Sequence, residues 1–181
     1  MVWPWITASA LVAGATGGAP QIELSRRPDG YVLRARFSVG RSPACVLKTL
    51  FASENLRASA GASTEVELLE DGPRLQRVRY TERRLGMTVR QTYRRALDEA
   101  ASRLDVELLE SETSSLLPTV KSSRGFYKVE PGEGGHGAIV VYEQSVELEG
   151  VLAGAMVTLA EGEARNFVEG VAANVERLCD P

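Results

Sequence analysis

Five tyrosines, two cysteines and a single histidine are the distinctive reactive groups of this chain. Read against the strand alternation described below, Tyr80, Gln91, Tyr93, Tyr127, Tyr142 and Gln144 fall on the same faces as the apolar residues. A phenol or carboxamide placed inside an apolar space needs a hydrogen-bond partner. Such groups either orient the polar atoms of a bound ligand, or bond to backbone and sit at the rim of the space. For the set, both readings stand; for any one residue the structural reading comes first. Arg95 shares the parity of Tyr93. It either meets an acidic ligand at the mouth or is simply exposed, and exposure is the commoner fate of an arginine.

Other chemistry is poorly supported. His136 is the lone histidine and sits in a glycine turn, where an exposed, idle side chain is the simpler expectation. No second histidine exists to build a metal site, and no GxSxG elbow accompanies it. Gly132-Glu-Gly134-Gly-His-Gly137 matches GxGxxG, but the dinucleotide fingerprint must open a helix that receives pyrophosphate. Here the glycines lead into Ala-Ile-Val-Val-Tyr, a strand, so a hairpin turn is expected. Cys45 and Cys179 have no CxxC partner, which leaves two unpaired structural thiols, or one long-range disulfide if the protein is exported. No P-loop occurs, and neither metal nor cofactor is expected.

The elements that position these groups follow from period and punctuation. A short leading strand is expected over 21–25, then a turn at Pro28-Asp29-Gly30. Residues 31–39 alternate, with Tyr31, Leu33, Ala35, Phe37 and Val39 on one face. Ser42-Pro43 opens a helix as N-cap and first helical residue. Val46, Leu47, Leu50 and Phe51 supply its apolar stripe, and a second short helical turn is expected over 54–58. Four antiparallel strands follow at roughly 64–70, 74–84, 87–97 and 101–110. The turns between them, at Asp71-Gly72-Pro73, Leu85-Gly86 and Asp98-Glu99, are too short for a parallel crossover. Val66, Leu68, Val78, Tyr80, Val89, Tyr93, Leu104, Val106 and Leu108 point one way. Glu65, Glu67, Arg77, Arg79, Arg90, Arg94, Asp105 and Glu107 point the other, so acidic, basic, basic and acidic rows lie side by side. The eight arginines from Arg74 to Arg95 therefore read as a solvated, paired sheet face and not as a nucleic-acid surface.

The last third is strand, turn, strand and one long helix: 122–131, 132–137, 138–148 and 153–178. The helix carries Met156, Ala160, Ala164, Phe167, Val171, Val175 and Leu178 at spacings of three or four. It must lie across a sheet to bury that stripe, and its small residues leave room above the sheet.

Composition suits one domain with a sizeable core: 181 residues, 44% hydrophobic and 25% charged, with net charge −3. That balance lacks the basic footprint of general nucleic-acid binding. Residues 1–20 read as a leader or disordered N-terminus and 21–181 as the domain. The first 22 residues carry no charge, and Ala13-Gly14-Ala15 resembles a signal-peptidase site, but a basic n-region is missing because the first basic residue is Arg26. An exported or periplasmic protein, with a cut near residue 15, and a cytoplasmic one both remain open. The apolar run is too short and glycine-broken to span a membrane. Oligomeric state is not legible.

The order of elements resembles the START-like, or SRPBCC, superfamily of polyketide cyclase/dehydrase and lipid-transport proteins, over about 31–178. The residues that carry the resemblance are Arg-Ser-Pro-Ala-Cys-Val-Leu at 41–47, Gly-Phe-Tyr-Lys-Val-Glu-Pro at 125–131, Tyr142, and Glu-Gly-Val-Leu-Ala-Gly at 149–154. The resemblance implies an α+β helix-grip fold: a seven-stranded antiparallel sheet, two short helices after the first strand, and a long C-terminal helix over the concave face. It also implies a hydrophobic ligand such as a lipid, quinone or polyketide. It carries over no catalytic set.

A binding or carrier protein is therefore the first expectation. Tyr80, Val89, Gln91, Tyr93, Tyr127, Tyr142 and Gln144 from the sheet, with Met156, Ala160, Ala164 and Phe167 from the helix, would line a space of roughly 300 Å³ or more. A cyclase/dehydratase-type enzyme ranks second, because parity places no acid–base pair inside; a strongly perturbed ionisable group deep in the pocket would raise it. A protein-interaction module ranks third.

Overall fold

A computed structural model of the chain describes residues 19–61, 63–84, 87–113, 118–150 and 152–179. All but the last two residues of the leader, and the Leu85-Gly86 turn, lie outside them. The elements in order are β1 (Gln21–Arg27), β2 (Gly30–Val39), α1 (Pro43–Phe51), α2 (Ser53–Ser59), β3 (Thr64–Asp71), β4 (Leu75–Arg84), β5 (Met87–Asp98), β6 (Arg103–Thr113), β7 (Thr119–Pro131), β8 (Ala138–Glu149) and α3 (Ala153–Leu178). The strands form one sheet in the order β1-β2-β8-β7-β6-β5-β4-β3, and every neighbouring pair is antiparallel. The sheet has eight strands, not the seven implied by the resemblance. The eighth is the leading strand β1, which pairs Gln21 to Arg27 with Arg36 to Gly30 of β2.

Local chemistry sets the boundaries. Ser42 caps α1 by accepting from the Cys45 amide, with Pro43 in its first turn. The glycine turn at 132–137 holds a single 3-10 turn, Glu133–Gly135, and Gly134, Gly135 and Gly137 all have positive φ. The next element is β8, so these glycines open no phosphate-binding helix. Exposed His136 belongs to this turn. Gly125 lies within β7 because a Cβ there would stand 2.4 Å from the Glu143 carbonyl oxygen of β8.

One cluster of buried residues runs along the inner sheet face and under the helices. α3 contributes Met156, Ala160, Ala164, Phe167, Val171 and Val175, as the spacing predicts, together with Val157 and Val168. On the outer face the charged rows are paired: Arg79–Glu67, Arg83–Glu65, Arg90–Glu112 and Arg94–Glu107. The solvated reading of this arginine-rich segment is what the geometry shows for those four. Cys45, near the start of α1, and Cys179, just past α3, form a disulfide with a Cα–Cα distance of 5.8 Å. This replaces the reading of two unpaired thiols; antiparallel β-pairing and the course of α3 bring together groups 134 residues apart.

Candidate functional site

The inner face holds a cavity where α1, α2 and α3 meet the β3–β7 half of the sheet. Tyr80 (β4), Arg95 (β5), Val106 (β6) and Tyr127 (β7) form its floor, with Thr64 of β3 at one side. Leu50, Asn55, Leu56, Ser59 and Ala60 form the wall from α1 and α2, and Phe167 and Val171 of α3 close it. Its volume is about 40 Å³, room for roughly three waters and far below the space expected from the sequence. The reason is local. α3 settles closely onto β1 and β2, where Ala160 and Ala164 are 1% and 4% exposed. The tyrosine rings fill the rest: Tyr127 stacks on Tyr142 at 4.7 Å between centroids, and Tyr142 meets Phe167 at 5.5 Å.

Of the expected site residues, Tyr80, Tyr127 and Phe167 line this cavity. The others lie elsewhere on the same inner side. The Tyr93 hydroxyl donates to Gln91 Oε1 at 3.2 Å. Tyr142 donates to Gln144 Oε1 at 2.5 Å, and Gln144 Nε2 donates to Ser123 Oγ at 2.8 Å. These four side chains are buried and have partners within the protein, as buried polar groups require. Met156, Ala160 and Ala164 pack in the buried cluster, and Val89 is half-buried on β5.

Arg95 is the residue the sequence undervalued. It is 4% exposed, not a surface arginine. Its Nη1 donates to the Phe51 carbonyl at 3.0 Å and to Gln76 Oε1 at 2.6 Å, and its Nη2 donates to the Leu50 carbonyl. The guanidinium also lies 5.6 Å from the Phe51 ring centroid. Leu50 and Phe51 are the last residues of α1, so the cation sits at the negative end of that helix dipole. Gln76 in turn donates to Asp71 at 2.8 Å. No ion pair among the described residues joins Arg95 to a carboxylate: each direct acceptor is a neutral oxygen. Burial pulls its pKa below the usual arginine value, opposed by Tyr80, Tyr127 and Asp71 nearby. Signals for this placement were available: the parity of Arg95 with Gln91 and Tyr93, and a helix ending on the same side of the sheet.

Tyr80 shares the cavity. It is 5% exposed, stands edge-on to Tyr93 at 5.9 Å, and none of the hydrogen bonds among the described residues involves its hydroxyl. Burial raises its pKa, and Arg95 acts the other way. Tyr127 is raised for the same reason. At neutral pH these phenols are proton donors beside a cation, in a space otherwise lined mostly by aliphatic and aromatic carbon. Such a corner can receive an anion or a strong acceptor; among the described residues, its lining holds no carboxylate or imidazole base.

The architecture of an eight-stranded antiparallel sheet, two short helices inserted after the second strand, and a long C-terminal helix across the inner face is the START-like, or SRPBCC, helix-grip fold. Solved structures with the same fold include an aromatase/cyclase from a Streptomyces species, 20% identical, covering 81% of this chain and 92% of its own, with TM-score 0.62. A STAR-related lipid transfer protein from Xanthomonas axonopodis is 13% identical, covering 94% and 98%, with TM-score 0.61. A human lipid transfer and protein localization domain is 15% identical, covering 98% and 90%, with TM-score 0.58. No protein-family model and no curated protein sequence matches the chain. No helix among the described residues is long and apolar enough to cross a membrane.

Proposed function

We propose that the chain binds a small, largely apolar molecule carrying one acidic or strongly accepting group, which Arg95 and Tyr80 receive. A single observation carries this reading: among the described residues, a buried guanidinium whose direct acceptors are neutral and a buried phenol with no hydrogen bond line the same cavity. A buried charge whose nearest carboxylate, Asp71, is reached only through Gln76 is costly, so an anion delivered directly beside it gains more there than at the surface. Burial of the ligand's apolar surface supplies the rest, at about 25 cal/mol per Å² before ordering costs. The lipid-transfer and cyclase neighbours support a fold suited to such ligands. Because the cavity holds about 40 Å³, uptake requires α1–α2 and α3 to part.

The experiment is a fluorescence titration with dansyl-labelled undecanoic acid and its methyl ester, which differ only in the charged head. A charge-assisted contact contributes about 1.5–3 kcal/mol, so the acid is expected to bind roughly 10- to 100-fold more tightly than the ester. Arg95→Met should remove that difference and leave the ester's affinity within about twofold. Equal binding of acid and ester, or no binding of either, contradicts the reading.

A second reading, an enzyme of the cyclase/dehydratase type, gains from the same corner, since Arg95 and the phenols are perturbed ionisable groups deep in a pocket. A guanidinium and phenols could stabilise an enolate. Among the described residues, the lining contains no carboxylate or imidazole base to form one, and for that reason binding ranks above catalysis.

A further inference from the structure

The cavity and the disulfide share two walls. Cys45 lies in the first turn of α1, the helix whose far end supplies Leu50 to the lining. Cys179 follows the last residue of α3, eight residues beyond Val171, or roughly 12 Å along a helix. The bond therefore ties together, just beyond the cavity, the two elements that must separate for it to enlarge. Among the described residues, the other polar ties between these walls gather at the same end of α3. Asn174 of α3 donates to Ser59 of α2 at 3.2 Å. Arg41, ahead of α1, pairs with Glu176 at 3.4 Å, and that carboxylate also accepts from the Gly40 amide.

We propose that the Cys45–Cys179 disulfide is a redox lock on the cavity. Oxidised, it pins the C-terminal turns of α3 to α1 and holds the pocket at its small volume. When a dithiol attacks, the sulfur–sulfur bond breaks by thiol–disulfide exchange. Two protein thiols form, the reductant is oxidised to its own disulfide, and two electrons and two protons pass to the protein. The last turns of α3 are then free to rise, and the pocket opens to ligand. Any small rise in the open population raises apparent affinity in proportion, because ligand binds only the competent fraction. This deepens the binding reading above and rests on it for the ligand, though not for the helix motion.

The test joins two measurements on the full chain, before and after dithiothreitol, with the Cys45→Ser/Cys179→Ser double variant as a reduced form that cannot re-oxidise. Thiol titration should find no free thiol before reduction and two after it. Hydrogen exchange in α2 and over 171–179 should accelerate about tenfold on reduction while the amides of β7 and β8 hold their protection. Dansyl-labelled undecanoic acid should bind the reduced protein and the double variant about tenfold more tightly than the oxidised protein. Free thiols in the untreated protein overturn the lock, as does unchanged exchange. Loss of protection throughout the sheet also overturns it, since the bond is then a general staple. Equal probe affinity in both forms overturns the lock and leaves the binding reading intact. Faster helix exchange with no probe bound by either form keeps the lock and removes the ligand.

Discussion

Arg95 shows how far a single side chain can be read from sequence. Its parity on β5 matches Gln91 and Tyr93, and all three are buried. The general habit of arginine pointed outward, and parity was the better guide. What no local pattern reveals is its set of acceptors, which lie 19, 44 and 45 residues away. Those acceptors fix the sign of one prediction. Arg95→Met leaves two helix-end carbonyls and Gln76 Oε1 without their donor, at about 1–3 kcal/mol for a buried group left unmatched. Removing a desolvated charge offsets part of that. A net loss of about 1–3 kcal/mol is expected, read as a lower urea midpoint with unchanged m. A midpoint equal to or above wild type would mean that the guanidinium is held at a cost and not by its contacts. Gln91, Tyr93, Tyr142 and Gln144 were also placed on the right face. Their mutual bonds depend on rotamers, which alternation does not encode.

The elements were the most legible level. Hairpin turns, the Ser42-Pro43 cap and the spacing of α3 placed the strands and helices to within a few residues. The space between them was not legible. Alanine in a helix face suggests room above the sheet, but a packed interior uses small residues to shorten the helix–sheet distance. Gly125 makes a related point: an interior strand glycine with no turn nearby marks a place where two backbones approach closely. Gly125→Ala is expected to destabilise by more than the usual strand glycine change, about 2 kcal/mol or above, because the clash is with the Glu143 carbonyl and not with a movable side chain. Thermal unfolding checks this; a change below about 0.5 kcal/mol would mean that β7 and β8 part easily here.

At the scale of the whole molecule, all five tyrosines, Tyr31, Tyr80, Tyr93, Tyr127 and Tyr142, have their pKa values raised, chiefly by burial. A raised phenol keeps its proton in the folded state after the unfolded chain has lost it. Its contribution to stability is therefore intact below about pH 10, the unfolded value, and falls as pH climbs beyond it. Each such tyrosine steepens the loss by up to about 1.4 kcal/mol per pH unit. Alkaline titration should show tyrosinate absorbance rising together with loss of circular dichroism in one step. Stepwise ionisation of a still-folded chain near pH 10 would show that the phenols reach solvent without unfolding. The outer face contributes little to this balance, since its ion pairs are exposed and such pairs are each worth about 0–1 kcal/mol.

Native mass spectrometry of wild-type protein and the Arg95→Met variant, each purified without detergent from the chain's own host, tests the binding reading most directly. The wild type is expected to carry one organic acid that the variant has lost. Bare chain in both preparations, or the same adduct on both, would contradict it.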